Sequence, residues 1–597
     1  MKALKYTILS LMFGGLVVSC DFLDKEPTKL TLDNYFTTAD EASSFLTGIY
    51  AELGQSTFYG ADYLYLVGGD DLEHYGGVNR SPVSSGLICN NATSSDAAVT
   101  GFWYTLYSGI NRANLFLENI DRVSDIDETV KAQYVAEARF LRAFYYFNLV
   151  QCWGDVPFRT TATSDVIGLD APREDKQKIY DFIISEMEDV SDEENGGLLT
   201  AAELNYMPGH VSKSAAWGIL ARVFLFRAGE WHRDNRAATE VETTTYFSEA
   251  SKYAKKVMTL GNHDLTPDYW DFFIDLCANR YNSSGKNESI WEAEFAGNNT
   301  TDIKAEGRIG NIIGLAAPDM SSKSSVVGSA DPGFSYEFIF ATPKLYKLYG
   351  TDIAASTLAD PASAEAKALR EKDVRYYWNI APFKYVEAGG KNTGVTGREF
   401  YEQAGLNFVL AHDNGRSYSY GDKDVLTTAS YVDYARACAK FRREYEADKK
   451  DKNSTAINFP ILRYSDVLLM FAEAENEVNG PTDEARNALY KVRSRAGLTE
   501  ALPSMSKDQF RQAVKDERAR ELCFEYTRHF DLIRWGEFVN NMNALVEEAT
   551  NGQSSGWKQG PSNVYTYFQV SSAYNYFPIP EAEMAVNKAI TENNPGW

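Results

Sequence analysis

The sequence predicts a mostly α-helical protein, built from pairs of packed helices and carrying an irregular, loop-rich lobe with short β-strands. Long stretches place apolar residues every three or four positions, and small alanines alternate with large aromatic residues within them. A central region rich in Gly, Ser, Asn and Asp interrupts these stretches. At 597 residues, of which 44% are hydrophobic, the chain is long enough to bury a large core.

The first 19 residues are typical of a secretory signal peptide. Lys2 and Lys5 supply the positive start, and the apolar run that follows is too short to span a bilayer as a helix. The stretch Val-Val-Ser-Cys is similar to the lipobox of bacterial lipoproteins, in which the cysteine becomes the acylated first residue, so we expect Cys20 to carry a lipid anchor. An ordinary signal peptide with a chance cysteine is the alternative.

Acidic residues follow this cysteine directly, at Asp21, Asp24 and Glu26. They resemble the export signal of surface lipoproteins in Bacteroidetes. We therefore expect a lipid-anchored protein at the outer membrane, facing the cell exterior.

A helical scaffold is expected over residues 30–261, approximately. Apolar residues repeat with helical spacing over 127–152, 211–228 and 246–260, and glycines follow these stretches at Gly154, Gly229 and Gly261. The alternation of alanine with aromatic residues in paired helices resembles tetratricopeptide repeats, in which small residues let helices approach closely. The match to that repeat is degenerate.

The scaffold resumes over about 456–540. Helices are predicted over 461–478 and 482–495, with a turn at Asn-Gly-Pro between them, and a capping box at Ser506 opens a further helix that runs to about Tyr526. Between the two parts, about 262–455, lies a variable lobe in which 289–295 has a β-like pattern. Residues 541–597 form a closing segment.

Charge and motif content argue against several functional classes. A net charge of −24 repels nucleic acid phosphates and anionic lipids. Neither the six histidines nor the cysteines have metal-ligand spacing, and no nucleotide-binding or hydrolase motif is present, so we expect no metal, no cofactor and no catalytic residues. Cys152 and Cys523 lie in apolar helical stretches and are predicted to be core residues, without a disulfide framework.

Four segments together resemble the SusD/RagB family of surface lipoproteins. They contain EARFLRAFYYF and WGDVP over 137–157, RYSDVLLMFAEAE and VRSRAG over 463–497, ERARELCFE and RHFDLIRWG over 517–536, and FPIPEAE and NNPGW over 577–597. Two positions depart from the family pattern: Tyr526 stands where a glycine is usual, and Asn593 where a glutamine is common.

The resemblance implies a SusD-like fold and a non-catalytic receptor. Such a receptor captures oligosaccharides and delivers them to a SusC-like TonB-dependent transporter of the outer membrane. A peptide-binding member of the family, a surface glycan-degrading enzyme and a purely structural lipoprotein are the alternatives.

The acids in these segments are interpreted as scaffold residues. Glu517, Glu521 and Glu525 share one face of a helix, where like charges repel unless basic groups neutralise them. The basic partners are expected to be Arg518, Arg528 and Arg534. In the first segment, Glu137, Arg139 and Arg142 are expected to pair with Glu473 or Glu475.

Candidate ligand contacts are aromatic rings near polar side chains, because sugar C–H faces stack on flat rings and hydroxyls need polar partners. The glycine-rich stretch 68–80 supplies such residues, and its alternative interpretation is a solvated loop. Two tryptophans, Trp103 and Trp291, are predicted to belong to the core instead. The candidates in the glycine-rich stretch are Asp70, Asp71, Tyr75 and Arg80, and those in the variable lobe are Trp270, Tyr281, Tyr336 and Trp378.

Overall fold

The structure is a computed structural model of the chain. It describes residues 35–75, 86–163, 170–283, 285–295, 307–315, 317, 319, 332–353, 355–360, 363–380, 383–387, 395–400, 437–446, 451–548 and 569–597. The lipidation candidate Cys20 and the ligand candidate Arg80 lie outside these residues.

The described residues are predominantly helical, which confirms the predicted fold class. Short turns of 3₁₀ and π helix join the longer elements, for example at Ser56–Gly60 and Arg443–Tyr445. The α-helices are α1 (Ala39–Tyr50), α2 (Tyr63–Leu66), α3 (Ala97–Asn119), α4 (Glu128–Trp153), α5 (Lys176–Ser191), α6 (Lys213–Ala228), α7 (Glu230–Arg233), α8 (Tyr246–Leu260), α9 (Tyr269–Cys277), α10 (Pro343–Tyr349), α11 (Ala364–Lys372), α12 (Val374–Asn379), α13 (Tyr464–Asn479), α14 (Asp483–Arg495), α15 (Lys507–Leu522), α16 (Arg528–Arg534), α17 (Phe538–Glu548) and α18 (Glu581–Val586).

The strands are short and form antiparallel pairs. β1 pairs with β5, β2 with β3, β4 with β8 and β6 with β7. Their bounds are β1 (Glu73–Tyr75), β2 (Val156–Pro157), β3 (Arg173–Glu174), β4 (Ser289–Ala293), β5 (Ile339–Ala341), β6 (Phe383–Glu387), β7 (Val395–Phe400) and β8 (Phe459–Arg463).

The long helices pack in pairs, as the alternation of small and large residues predicts. α3 packs on α4, α4 on α5 and α6 on α8. In the later part of the chain α13 packs on both α14 and α15. The two parts meet where α8 packs against α13, so one helical scaffold forms from two separated stretches of sequence.

The predicted helix boundaries agree with the structure at most ends. The Asp127 side chain accepts from the Thr129 and Val130 amides to start α4, which ends before Gly154 at φ 74°. Ser506 and Gln509 form the predicted capping box of α15. That helix ends at Leu522 and does not reach Tyr526, because Cys523 leaves the helical conformation at ψ 144° and Phe524 follows with φ 62°.

The central region holds more helix than the sequence predicts. The β-like pattern at 289–295 is confirmed as β4, but α9, α10, α11 and α12 also lie within the predicted variable lobe. These helices span six to nine residues each. Such short helices give too few repeats for a hydrophobic period to be recognised.

The core contains the residues that were predicted for it. Trp103 and Trp291 are buried, and Phe140 and Phe144 pack edge-on against Trp291. Cys152 and Cys523 are buried with free thiols. Within the described residues, no helix is both long and apolar enough to cross a membrane.

Candidate functional site

The glycine-rich stretch that was predicted to contact ligand is described as far as Tyr75, and up to that residue it folds into the interior. Its described part ends in β1, whose residues pair with β5. The Asp70 carboxylate accepts hydrogen bonds from the amides of Leu72, at 2.7 Å, and Glu73, at 3.2 Å. Burial, together with the nearby charge of Asp71, raises the pKa of Asp70 to about 8. For residues 70–75, the alternative of a solvated loop is therefore wrong.

Asp71 is fully buried in an ion pair. Arg528 donates to it from Nε at 2.7 Å and from a terminal nitrogen at 2.9 Å, and Lys344 donates from Nζ at 2.5 Å. Asn541 donates a further hydrogen bond at 3.0 Å. Burial alone would raise the pKa of Asp71, but Arg528 and Lys344 outweigh burial and hold that pKa well below its usual range. This carboxylate joins β1 to the C-terminal helices.

Tyr75 is only 1% exposed, so its ring faces are covered by the protein. Its ring centroid lies 5.8 Å from that of Phe338, in an edge-on arrangement. Phe338 lies 4.8 Å from Tyr336, and Tyr336 lies 4.7 Å from Phe334. We call these four rings the aromatic row. It brings the candidates Tyr75 and Tyr336 into one cluster, with Tyr75 at the buried end.

The outer end of the aromatic row is partly exposed at Tyr336 and Phe334. The Tyr336 hydroxyl donates to Asn453 Oδ1 at 3.1 Å, and the Arg308 guanidinium lies 6.0 Å from the Tyr336 ring centroid. The Lys452 ammonium lies 5.2 Å from the Phe334 ring. Partly exposed rings beside an amide and two cations form the combination that recognises a polyhydroxylated ligand with apolar faces.

The tryptophan candidates of the lobe also lie close together, in the interior. Trp270 and Trp378 are both buried, with ring centroids 6.5 Å apart. The Arg442 guanidinium lies 3.7 Å from the Trp378 ring centroid, and Trp378 Nε1 donates to the Lys440 carbonyl at 3.2 Å. The stacking position on Trp378 is therefore filled by a side chain of the protein. Tyr281, in contrast, is 40% exposed and follows the end of α9.

Sequence reasoning missed the other residues at the outer end of the row. Phe334, Tyr336 and Phe338 alternate along the chain, a period-two pattern that places side chains on one face of an extended segment. That pattern could have identified Phe334 as a neighbour of Tyr336. No local pattern identifies Arg308 or Asn453, because they reach the site from distant parts of the chain.

Glu517 and Glu521 of α15, and Glu525 just after that helix, are neutralised by basic residues other than those expected. Glu517 accepts from Arg375 at 2.6 Å and from Arg493 at 3.1 Å. Glu521 accepts from three arginines: Arg463 at 2.7 Å, Arg495 at 2.5 Å and Arg375 at 3.0 Å. Glu525 pairs with Lys440 and Arg463.

The expected partners Arg518, Arg528 and Arg534 make other ion pairs, so that prediction is wrong. Each of them pairs with an acid from another element, and each pair is buried. Arg518 binds Asp466 and Asp531, Arg528 binds Asp71, and Arg534 binds Glu473 and Asp531.

The pairing expected for the first segment is also wrong. Arg139 and Arg142 both bind Glu186 of α5, the helix packed on their own. Glu137 accepts from Gln133 Nε2 at 2.8 Å and pairs with His210 at 3.0 Å. The interpretation of these acids as scaffold residues agrees with their contacts, since all of them hold elements of the fold together.

The described residues contain no group of three or more His, Cys, Asp and Glu side chains arranged to hold a metal ion.

Known proteins resemble the chain over almost its whole length. The model of the SusD family matches residues 287–597, and the model of a family described as starch-binding and associating with the outer membrane matches residues 21–225. SusD-like protein P25 from Formosa agariphila is 25% identical over 98% of each chain. Starch-binding protein SusD from Bacteroides thetaiotaomicron is 23% identical, over 81% of this chain and 76% of that protein.

The fold agrees with a solved structure. The crystal structure of a SusD homologue from Bacteroides thetaiotaomicron superposes with a TM-score of 0.73 at 25% identity, over 95% of this chain and 98% of the other. The predicted resemblance is confirmed, and the chain belongs to the SusD family.

Proposed function

We propose that this protein is a cell-surface receptor that captures oligosaccharides and passes them to a transporter in the outer membrane. The observation that carries the proposal is the outer end of the aromatic row. Tyr336 and Phe334 offer partly exposed rings there, beside the Asn453 amide and the Arg308 guanidinium. A relative over most of the chain bears the name starch-binding protein, which supports a glycan as the ligand.

The chemistry of a sugar ring fits this surface. Its axial C–H groups form an apolar face that packs on an aromatic ring, and its hydroxyls exchange hydrogen bonds with amide and guanidinium groups. A net charge of −24 favours neutral glycans over anionic ones. We therefore propose neutral oligosaccharides as the ligand class.

The buried ion pairs remove three glutamates from the candidates for catalytic groups. Glu517, Glu521 and Glu525 are held by several basic groups in the interior, where a glycosidic bond does not reach them. A hydrolase needs two carboxyl groups flanking the bond it cleaves. The competing candidates are a surface glycan-degrading enzyme and a peptide receptor of the same fold.

One experiment separates these three candidates. The soluble chain, produced from residue 21 onward, is titrated with panels of neutral oligosaccharides and of peptides, and the mixtures are then analysed for cleaved products. The proposal expects saturable binding of an oligosaccharide with no product released. Product release would favour the enzyme, and binding of peptides alone would favour the peptide receptor.

The anchor and the transporter belong to the same proposal. The lipobox-like stretch supplies an attachment point at Cys20, and a bound oligosaccharide needs another protein to carry it inward. We propose a SusC-like TonB-dependent transporter as that partner, covered by this chain. Affinity purification from mildly solubilised outer membranes should recover a large barrel protein in near-equal amount. Repeated recovery of the chain alone, from cells that still import the glycan, would contradict the partnership.

A further inference from the structure

An open cavity lies on the helical scaffold, built from parts of the chain that do not contribute to the aromatic row. It has a volume of about 540 Å³, within the range of about 300–1,000 Å³ typical of small-molecule sites. One wall is α3, the second is the segment around Arg159 and Thr161, and the third is α18 with Asp170. We call it the C-terminal groove.

The walls of this groove are fixed to one another by hydrogen bonds. The Asn111 side chain of α3 accepts from the Thr163 amide at 2.8 Å, and Tyr107 donates to the Pro157 carbonyl at 2.8 Å. On the other side, Asn587 exchanges two hydrogen bonds with the backbone of Ala171, at 3.1 and 3.0 Å. A groove held in this way is preformed, so binding costs little ordering of the protein.

A tyrosine ring is presented in the groove. Tyr104 lines it and is 43% exposed, although its neighbour Trp103 is buried in the core. The exposed Val586, at 70%, adds an aliphatic surface at the opposite wall. An aromatic ring that is exposed inside a concave site is available to stack against a ligand.

Polar atoms with open hydrogen-bonding capacity line the same groove. Among the described residues, Asn111 uses Oδ1 for Thr163 and Glu583 uses Oε1 for Asn587 at 3.1 Å, which leaves Asn111 Nδ2 and Glu583 Oε2 open. Partial burial raises the pKa of Tyr104, and the nearby charge of Glu583 raises it further. An aromatic face, an amide donor and a carboxylate acceptor thus converge on one space.

We propose that the C-terminal groove is a second carbohydrate-binding site, in which a short stretch of a neutral oligosaccharide stacks on Tyr104 and hydrogen-bonds to Asn111 and Glu583. The carboxylates of Glu583 and Asp170 outnumber the one guanidinium of the described lining, that of Arg159, and so disfavour an anionic ligand. The open amide and carboxylate atoms suit the hydroxyls of a sugar. The proposal rests on the proposed function for its ligand class. A second site would hold a long glycan at two points and so raise its overall affinity.

The test titrates a panel of neutral hexasaccharides, made of glucose, xylose or mannose with α1,4, β1,3 or β1,4 linkages, into four forms of the soluble chain. The forms are the unmodified chain, Tyr336→Ala, Tyr104→Ala and the double variant. For a hexasaccharide that binds, we expect two sites per chain by calorimetry. The Tyr336→Ala chain should still bind the hexasaccharide at the C-terminal groove. Adding Tyr104→Ala should weaken the affinity at that groove about tenfold or more.

A photo-crosslinking measurement gives a second readout that does not depend on affinity. A diazirine derivative of the bound hexasaccharide should label peptides from α3 and from the C-terminal 29 residues, 569–597. Tyr104→Phe, which keeps the ring, should retain that labelling, and Tyr104→Ala should lose it at an unchanged melting temperature. The half-exposed Tyr490 of α14 provides a matched control, because Tyr490→Ala removes a ring outside the groove.

The outcomes test the second binding site separately from the proposed receptor function. One binding site, abolished by Tyr336→Ala and unaffected by Tyr104→Ala, would overturn the second site and leave the receptor function standing. Absence of binding to every panel member by the unmodified chain would overturn both.

Discussion

Asp71 and Arg528 form a buried bidentate ion pair although 457 positions separate them in the sequence. The pair joins the stretch before β1 to the start of α16, so the N-terminal and C-terminal parts of the chain are held together at one point. Lys344 binds the same carboxylate from α10. Three distant elements thus meet at Asp71, which was chosen from the sequence as a candidate ligand contact.

The first prediction concerns the stability that this pair provides. Asp71→Ala leaves the buried Arg528 and the partly exposed Lys344 without their counter-charge, so it should lower the free energy of unfolding by about 3–5 kcal/mol. Arg528→Lys should also destabilise the chain, because lysine cannot form the bidentate contact. Denaturant unfolding measures both changes. The exposed pair of Lys372 and Glu500 is the control, and Lys372→Ala should have a much smaller effect.

The second prediction concerns Tyr75, which was chosen from the sequence as a ligand contact. Because the ring is buried between Tyr65 and Phe338, Tyr75→Ala should lower the free energy of unfolding by about 3–5 kcal/mol. Its effect on stability should greatly exceed that of Tyr336→Ala at the partly exposed end of the row. A Tyr75→Ala chain with unchanged stability and weakened binding would restore the original assignment.

The third prediction concerns pH and the buried acid Glu292 of β4. Its carboxylate accepts from Ser289 and, at 2.8 Å, from Asn458, yet burial raises its pKa to about 7 from an ordinary value of 4.5. The folded state therefore prefers the protonated form. Its contribution to stability is present below pH 4.5 and is lost as the pH rises towards 7.

Glu292→Gln removes this titration. As the pH rises from 5 to 8, the free energy of unfolding of the variant should increase relative to that of the unmodified chain, by up to about 3 kcal/mol. Guanidinium unfolding at the two pH values measures the difference. Glu484→Gln, which changes an exposed acid, should behave like the unmodified chain at both. A Glu292→Gln chain whose relative stability does not change with pH would show that Glu292 is charged in the fold throughout.

The helical scaffold was predictable because it is encoded locally. The period of apolar residues over 127–152 and the cap at Asp127 lie next to one another in the chain, and α4 forms where they predict it. Thr482 and Ser506 likewise start α14 and α15 as their capping patterns indicate. Each of these signals is read within a few residues.

The ion pairs and the ligand surface were not predictable in the same way. Glu521 binds Arg463, Arg495 and Arg375, which lie 58, 26 and 146 positions away. The sequence contains many arginines that could pair with each acid. Which of them pair with Glu521 depends on how α12, α14 and β8 pack around α15. Whether an aromatic ring is buried also depends on packing between distant parts of the chain. Trp378 and Tyr281 are both aromatic residues of the lobe, but only the folded chain shows that Arg442 covers Trp378 and that solvent reaches Tyr281.

The fourth prediction concerns the anchor. In the native bacterium, Cys20→Ala should abolish labelling of the protein by a radioactive or clickable fatty acid and release it from the membrane fraction, because the acylated residue is missing. In the protein that retains Cys20, mass spectrometry of the mature N-terminus should show the lipid on that residue. Persistent labelling of the variant would place the anchor elsewhere.

The central claim is that the chain is a glycan receptor whose outer aromatic rings hold the sugar, and calorimetry of the Tyr336→Ala variant tests it most directly. With an oligosaccharide that binds the unmodified soluble chain, the variant should lose affinity at this site about tenfold or more. The scale is taken by analogy from a nucleobase stacked on one aromatic ring, which contributes about 1–3 kcal/mol. Tyr336→Phe keeps the ring and should lose much less. An affinity that is unchanged in Tyr336→Ala, with the fold intact by circular dichroism, would contradict the account.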